Sequence, residues 1–211
     1  MTSSFAHGGT WHGVGVLSLS LLYGQLTAII GHRVLWKYGV RHRDISPGNL
    51  MVYKTASGVW IGVLNDYDLS STRDTPTGKE RTGTIPFMAM DLLTDEAIEG
   101  KVEHLYRHDA ESFIWVLTWV SLRYENGELK GKSLNSWLKV DAIGCHSEKS
   151  SFLVSGRFNA KPSSSHLVNW DIARACLRQV VFSYAEEPTS RPDNEVYQTW
   201  LSSQVPSSIR E

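Results

Sequence analysis

Residues 109–123 carry apolar or aromatic side chains around most of a helical circumference. At 3.6 residues per turn, Phe113, Val116, Leu117 and Val120 fall on one stripe, while Trp115 and Trp119 line another side. Such a helix has little surface to give to water, so it belongs at the centre of a helical body. A second periodic stretch, from about 16 to 38, places Leu19, Leu22, Leu26, Ile29, Ile30, Val34 and Leu35 at helical spacings, and Gly39 supplies a stop. Weaker patterns fit helices over 132–141, 166–184 and 193–203, with 145–165 read as irregular connection. The β signal is small: runs Leu50–Tyr53 and Val59–Leu64 flank a Lys54–Gly58 hairpin connection. Residues 66–86 are polar and aperiodic, and read as a long surface loop. The expected fold class is mainly α (α+β), a helical body with one small β-hairpin.

Hydrophobic residues make up 41% of the 211 residues and charged ones 20%, which suits one domain with a real core. The formal net charge of -1 gives no basis for a nucleic-acid partner or an electrostatic membrane surface. Two cysteines, Cys145 and Cys176, make neither a disulfide scaffold nor a zinc site of their own. They are expected to be ordinary thiols in an intracellular compartment, cytoplasmic or nuclear. No Lys, Arg, Asp or Glu occurs from Met1 to His32, and Val14–Tyr23 is strongly apolar. The basic start of a signal peptide is missing, and Gly24, Gln25 and Thr27 interrupt the run. A buried helix is therefore the expectation, with a membrane role for residues 13–31 as the lesser alternative.

The polar loop Arg41–Asn49 holds the first chemistry. Asp44, on a loop, is placed to accept a proton from a hydroxyl nucleophile, and the amide of Asn49 can offer an oxygen to Mg²⁺. Asp66 ends an apolar strand and can offer a carboxylate to the same cation. A base, an amide ligand and a metal carboxylate are the parts that phosphoryl transfer requires on one side of a cleft. Plainer roles compete: His42 as a packed core histidine, Asp44 as a turn cap, Asp68 as a solvated carboxylate, Trp115 and Trp119 as core.

His42-Arg-Asp44 with Asn49 matches the H-R-D-x-x-x-x-N catalytic loop of protein kinases. Asp66-Tyr-Asp68 sits where those enzymes carry Asp-Phe-Gly, and Arg81–Asp91 resembles the end of their activation segment, with Ala89-Met-Asp91 for Ala-Pro-Glu. His108-Asp109-Ala-Glu-Ser-Phe113 resembles the start of the central kinase helix, and Arg191-Pro192 the late arginine. The set, in kinase order over about residues 17 to 200, most resembles the fungal-type protein kinase family, and implies a C-terminal lobe over 17–203 flanked by an irregular tail at 1–16 and another at 204–211. The resemblance implies ATP and Mg²⁺, a protein substrate or partner, Asp44 as base, Asn49 and Asp66 as metal holders, and Arg43 in contact with the activation segment. It further implies Thr84 beside Asp44, favouring a Ser/Thr acceptor, Asp109 accepting backbone N–H bonds from the catalytic loop, and an ion pair between Asp91 and Arg191. Ser70, Ser71, Thr72, Thr75 and Thr77 are candidate phosphorylation sites near Arg43.

Three departures stand out. Ser46 takes the place of the lysine that Ser/Thr kinases carry near the transferred phosphate, removing a cation from the transition-state clamp. Asp68 replaces a glycine. Only about 16 residues precede the first helix, whereas an N-terminal kinase lobe needs about 60–80. Gly8–Gly15 lacks the G-x-G-x-x-G spacing and reads as a Gly-rich turn or tail. The N-lobe is thus expected to be absent or truncated, leaving an apolar surface open to oligomerisation. Three functions compete: an incomplete Ser/Thr protein kinase, a non-catalytic kinase-derived binding module or gene fragment, and a small-molecule phosphotransferase. The run at 81–91 and Arg191-Pro192 argue against the last.

Overall fold

The computed structural model describes residues 4–5, 9–13, 18–68, 70–72, 83–185 and 191–204. The chain is mainly α-helical with small antiparallel sheets, as its periodicities require. In order, the regular elements are β1 (Ser4–Phe5), β2 (Gly9–Gly13), α1 (Ser18–Lys37), β3 (Val40–Arg41), β4 (Leu50–Lys54), β5 (Trp60–Leu64), β6 (Ser71–Thr72), α2 (Asp95–Ile98), α3 (Tyr106–Arg123), β7 (Tyr124–Glu125), β8 (Glu128–Leu129), α4 (Ala142–Ser151), α5 (Arg157–Asn159), α6 (Leu167–Ala185) and α7 (Asp193–Val196). Short 3₁₀ turns cover Ile85–Phe87 and Met90–Leu93.

The α3 helix is the axis of the body. Every residue on it except Arg107 is buried, as expected for a helix apolar nearly all round. Trp115 meets Trp137 edge-on with centroids 5.3 Å apart, and Trp137 meets Phe152 at 5.7 Å in the same way. Helix α6 adds Trp170, Ala173, Cys176, Leu177 and Val180 to this core. Both cysteines are buried free thiols. Burial pushes the Cys176 thiol up to about 12 and raises that of Cys145.

Several expectations need correction. The segment 145–165, read as irregular, is largely helical: α4 continues through a π-turn at Phe152–Gly156 into α5. The helix expected over 132–141 is only a 3₁₀ turn at Asn135–Leu138, because Asp141 caps α4 three residues later by accepting from the Gly144 N–H at 2.8 Å. The hairpin β7–β8 was not foreseen. The tail expected at 1–16 supplies two strands, so the hairpin β4–β5 grows into a four-stranded sheet of order β1-β2-β4-β5. Strand β2 pairs antiparallel with β4 in the register Trp11↔Tyr53, His12↔Val52 and Gly13↔Met51. Of the expected tail 204–211, only Gln204 lies within the described residues.

This sheet is pressed onto α1 by a pair of glycines. A methyl group on Gly62 of β5 would overlap the Gly24 carbonyl of α1, and one on Gly24 would collide with the Val52 side chain. The Gly62 N–H donates to Thr27 Oγ1 of α1 at 2.5 Å. On its other side α1 reaches α3, where Gln25 Nε2 donates to the Phe113 carbonyl at 2.6 Å. Among the described residues, no helix is long and apolar enough to cross a membrane.

The glycine contact generates a prediction. Gly62→Ala should destabilise the protein by about 1–3 kcal/mol through overpacking against backbone. Gly58→Ala, where the left-handed turn (φ +86°) has open space, should cost about 1 kcal/mol from strain alone. Urea midpoints of the two variants check the order.

Candidate functional site

Asp109, buried at 1% exposure, anchors the region. Its Oδ2 lies 2.8 Å from His32 Nε2 on α1, and its Oδ1 lies 2.8 Å from His104 Nε2 in the loop entering α3. Burial pushes the Asp109 carboxyl up, but His104 and His32 overcome this and hold it well below the usual carboxylate range. The expectation that Asp109 grips the catalytic loop through backbone N–H groups is corrected: both oxygens go to histidines, His32 and His104, which the sequence alone did not single out. His32 stacks on Tyr106 at 5.6 Å, which fixes the end of α1 beside α3.

Two turns follow from that placement. Arg43 and Asp66 adopt left-handed backbone, with φ of 71° and 60°. For residues with a Cβ this costs about 1–2 kcal/mol each, and such strain persists only where surroundings over-determine it. The clamp is His42, whose Nε2 sits 2.9 Å from the Asn65 carbonyl. One hydrogen bond thus joins the residue before Arg43 to the residue before Asp66. The Asp44 N–H approaches His42 Nδ1 at 3.3 Å, so Nδ1 accepts and Nε2 carries the proton that Asn65 receives. Burial lowers the His42 pKa, which keeps this neutral tautomer. Tyr67 packs edge-on against the ring at 4.7 Å.

The clamp sets out the polar groups. Asp44 Oδ1 accepts from both the backbone N–H and the hydroxyl of Thr84, each at 2.8 Å. Asp44 Oδ2 accepts from Asn49 Nδ2 at 3.0 Å, and the same amide nitrogen donates to the Asp44 carbonyl at 2.8 Å. With its nitrogen engaged there, Asn49 keeps Oδ1 as an oxygen donor. The Asn49 carbonyl accepts from the Asn65 N–H at 2.8 Å, tying the loop to the strand end before the exposed Asp66. Ser46 is buried, and its carbonyl takes the Asn49 N–H at 3.1 Å. Arg43 meets the following segment through its backbone: a Cβ on Gly83 would lie 2.9 Å from the Arg43 carbonyl oxygen. Asp44, Asn49, Thr84 and the backbone of Arg43 therefore converge. Asp66 adjoins them, and Ser46 packs underneath. Thr75 and Thr77, weighed as modification sites, lie outside the described residues.

No group of three or more His, Cys, Asp or Glu side chains among the described residues is arranged to hold a metal. An amide oxygen on Asn49 and a solvent-facing carboxylate on Asp66 are hard donors, a set that suits Mg²⁺ completed by water and phosphate oxygens rather than an all-protein cage.

The segment after Thr84 is held from below by a buried charge pair. Glu111 Oε1 accepts from the Met90 N–H at 3.0 Å and from Trp115 Nε1 at 2.9 Å, while Oε2 accepts from the Tyr184 hydroxyl at 2.9 Å. Lys149, fully buried on α4, donates to the Met88 carbonyl and lies over the Trp115 ring at 4.5 Å. Burial raises the Glu111 carboxyl and lowers the Lys149 ammonium to about 8. Asp91 corrects another expectation. It pairs with Arg107 at 2.8 Å and with His108 at 3.3 Å, not with Arg191, whose guanidinium faces Glu195 at 3.8 Å. A carboxylate inside an otherwise apolar helix was a visible signal for Glu111. Lys149 had none, because its helix was read as irregular.

Residues 18–121 match the family model described as fungal protein kinase. That stretch holds α1 through most of α3 together with Asp44, Asn49, Asp66, Thr84, Asp109 and Glu111, and it supports placing this region with the kinase-like family. No curated protein matches it.

Asp109 yields a prediction with a definite sign. Its pKa is depressed in the fold, so its stabilisation is complete above the ordinary carboxylate range of about 4 and is lost as pH falls through the lower folded value. Asp109→Ala should cost about 3–5 kcal/mol at neutral pH, because two buried histidines lose their acceptor. The difference between wild type and Asp109→Asn should shrink as pH drops below about 4. Urea melts across pH check both.

Proposed function

We propose that this domain transfers a phosphoryl group from ATP to Ser or Thr hydroxyls of a protein substrate, with Asp44 as the general base. The observation that carries the reading is the double contact of Thr84 with Asp44 Oδ1. A threonine N–H and hydroxyl on a carboxylate orient it, and a substrate hydroxyl can take the place of the Thr84 hydroxyl while the N–H bond keeps the oxygen in position. Asp44 then receives the hydroxyl proton as that oxygen bonds to phosphorus and the bridging oxygen departs with the nucleoside diphosphate. Asn49 Oδ1 and Asp66 are the residues that would hold Mg²⁺. Bound there, the cation supplies neutralisation of phosphate charge. The strained turns at Arg43 and Asp66 support the same reading, since they pre-set both groups before substrate arrives. With Ser46 buried and uncharged at the position of a lysine, this loop brings no cation of its own to the transferred group.

One observation favours a binding module instead: every oxygen of Asp44 already has a donor. The two readings separate in one experiment. ATP with Mg²⁺ at a hundredfold excess over its Kd should stabilise wild type by about 2.7 kcal/mol, seen as a raised Tm. Asp66→Ala should abolish that rise. Asp44→Asn should keep it, yet lower phosphate transfer to a Ser/Thr peptide mixture by about 10²-fold or more. A Tm rise without any transfer by wild type supports the binding module, and no rise at all removes the kinase reading.

A further inference from the structure

Helices α4 and α6 enclose a groove of about 300 Å³ lined by Met90, Leu153, Val154, Arg157, Val181 and Tyr184, among others. Val154 at its rim is 77% exposed, and nearby Phe158 is 65% exposed beneath the Arg157 guanidinium at 4.8 Å. The walls are mostly apolar, and Arg157 adds a guanidinium to the lining. Arg157 Nε and Nη1 are shut off from solvent without a hydrogen-bond partner. On α6, Arg174, Arg178, Val181 and Ala185 follow the spacing i, i+4, i+7, i+11, so two more arginines share the face that lines the groove. Burial, then Arg178 and Arg174, lowers the Arg157 pKa, which places three guanidinium groups within electrostatic reach of one another. Among the described residues, no carboxylate pairs with any of them. In a chain of net charge -1, three clustered arginines with no carboxylate partner among the described residues, beside an apolar pocket, are a local exception.

We propose that this groove docks a short acidic peptide segment of a protein partner, with one large apolar side chain in the pocket and flanking carboxylates on Arg157, Arg174 and Arg178. Guanidinium groups suit carboxylates because their N–H fork matches two oxygens at once. A purely apolar ligand would bring no countercharge to the three clustered guanidinium groups, and a small anion would leave the pocket unfilled. Two of the lining residues, Met90 and Tyr184, both bond to Glu111 in the network under the Thr84 segment. The partner would therefore seat against the support of the candidate site, on a face separate from Asp44. The inference does not require phosphoryl transfer by this chain.

The test is fluorescence anisotropy of a labelled decapeptide alternating Glu and Leu, titrated with the full chain. Binding is expected, weakening about tenfold or more in Arg157→Gln/Arg178→Gln and with a Gln–Leu peptide, and falling with added salt. Val181→Asp, which puts a carboxylate beside the pocket, should also abolish it, and circular dichroism melts verify that each variant is folded. Absence of binding to folded wild type, or binding unchanged in the double arginine variant, overturns the proposal. So does displacement by millimolar inorganic phosphate alone, which would mark a small-anion site. Binding that emerges only after Glu186→Gln/Glu187→Gln overturns it too, by making the chain's own acidic residues the occupant.

Discussion

The placement of nearly every group in the site depends on a carboxylate that water does not reach. A buried Asp109 is tolerable only because a histidine meets each of its oxygens, and those histidines come from different parts of the chain. His32 brings in the end of α1, and His104 brings in the loop before α3. Only twelve residues separate His32 from Asp44, and Gly39, in a left-handed turn (φ 87°), reverses the chain between them. Fixing His32 against α3 thus fixes where the loop of Asp44 begins. A charge network here does what apolar packing alone could not, because it specifies one register between α1 and α3 rather than a sliding contact.

From that anchor, rigidity passes outward through backbone. The His42–Asn65 bond couples two left-handed turns, one of them at an arginine, which has no local preference for that conformation. On the far side, Glu111 and Lys149 hold Met90 and Met88 from within the core, so the stretch leading back to Thr84 is supported as well. Asp44 therefore lies between two independently braced segments. Its bonds to Thr84 and Asn49 are the point at which they meet.

The parts of this arrangement that repeat with a period could be read in the sequence. The all-round apolar pattern of 109–123 identified α3 as central, and the patterns near 16–38 and 166–184 located α1 and α6 within a residue or two. Asp44 and Asn49 were legible because their spacing resembles that of a kinase loop, and Thr84 because the run 81–91 resembles an activation segment. What failed were contacts set by tertiary geometry. Asp91 was expected to find Arg191, but Arg107 and His108 stand on the adjoining end of α3 and reach it first. Asp109 was assigned backbone donors, whereas two histidines far apart in sequence supply them. Helix α4 was missed because its polar run, with Lys149 pointing inward, has no amphipathic stripe to detect. A Gly-rich start likewise hid strand β2, whose partner β4 lies about forty residues away.

The close seat of α1 on β5 also bears on how copies of the chain treat each other. Strand β5 ends the four-stranded sheet, and an uncovered sheet edge is a template for adding strands from other molecules. Here the Gly62 N–H that would face such a strand is already given to the Thr27 hydroxyl, and the helix backbone lies against it. The glycine pair that lets helix and strand touch thereby closes this edge to intermolecular β-pairing, so a requirement of tight packing doubles as protection against aggregation.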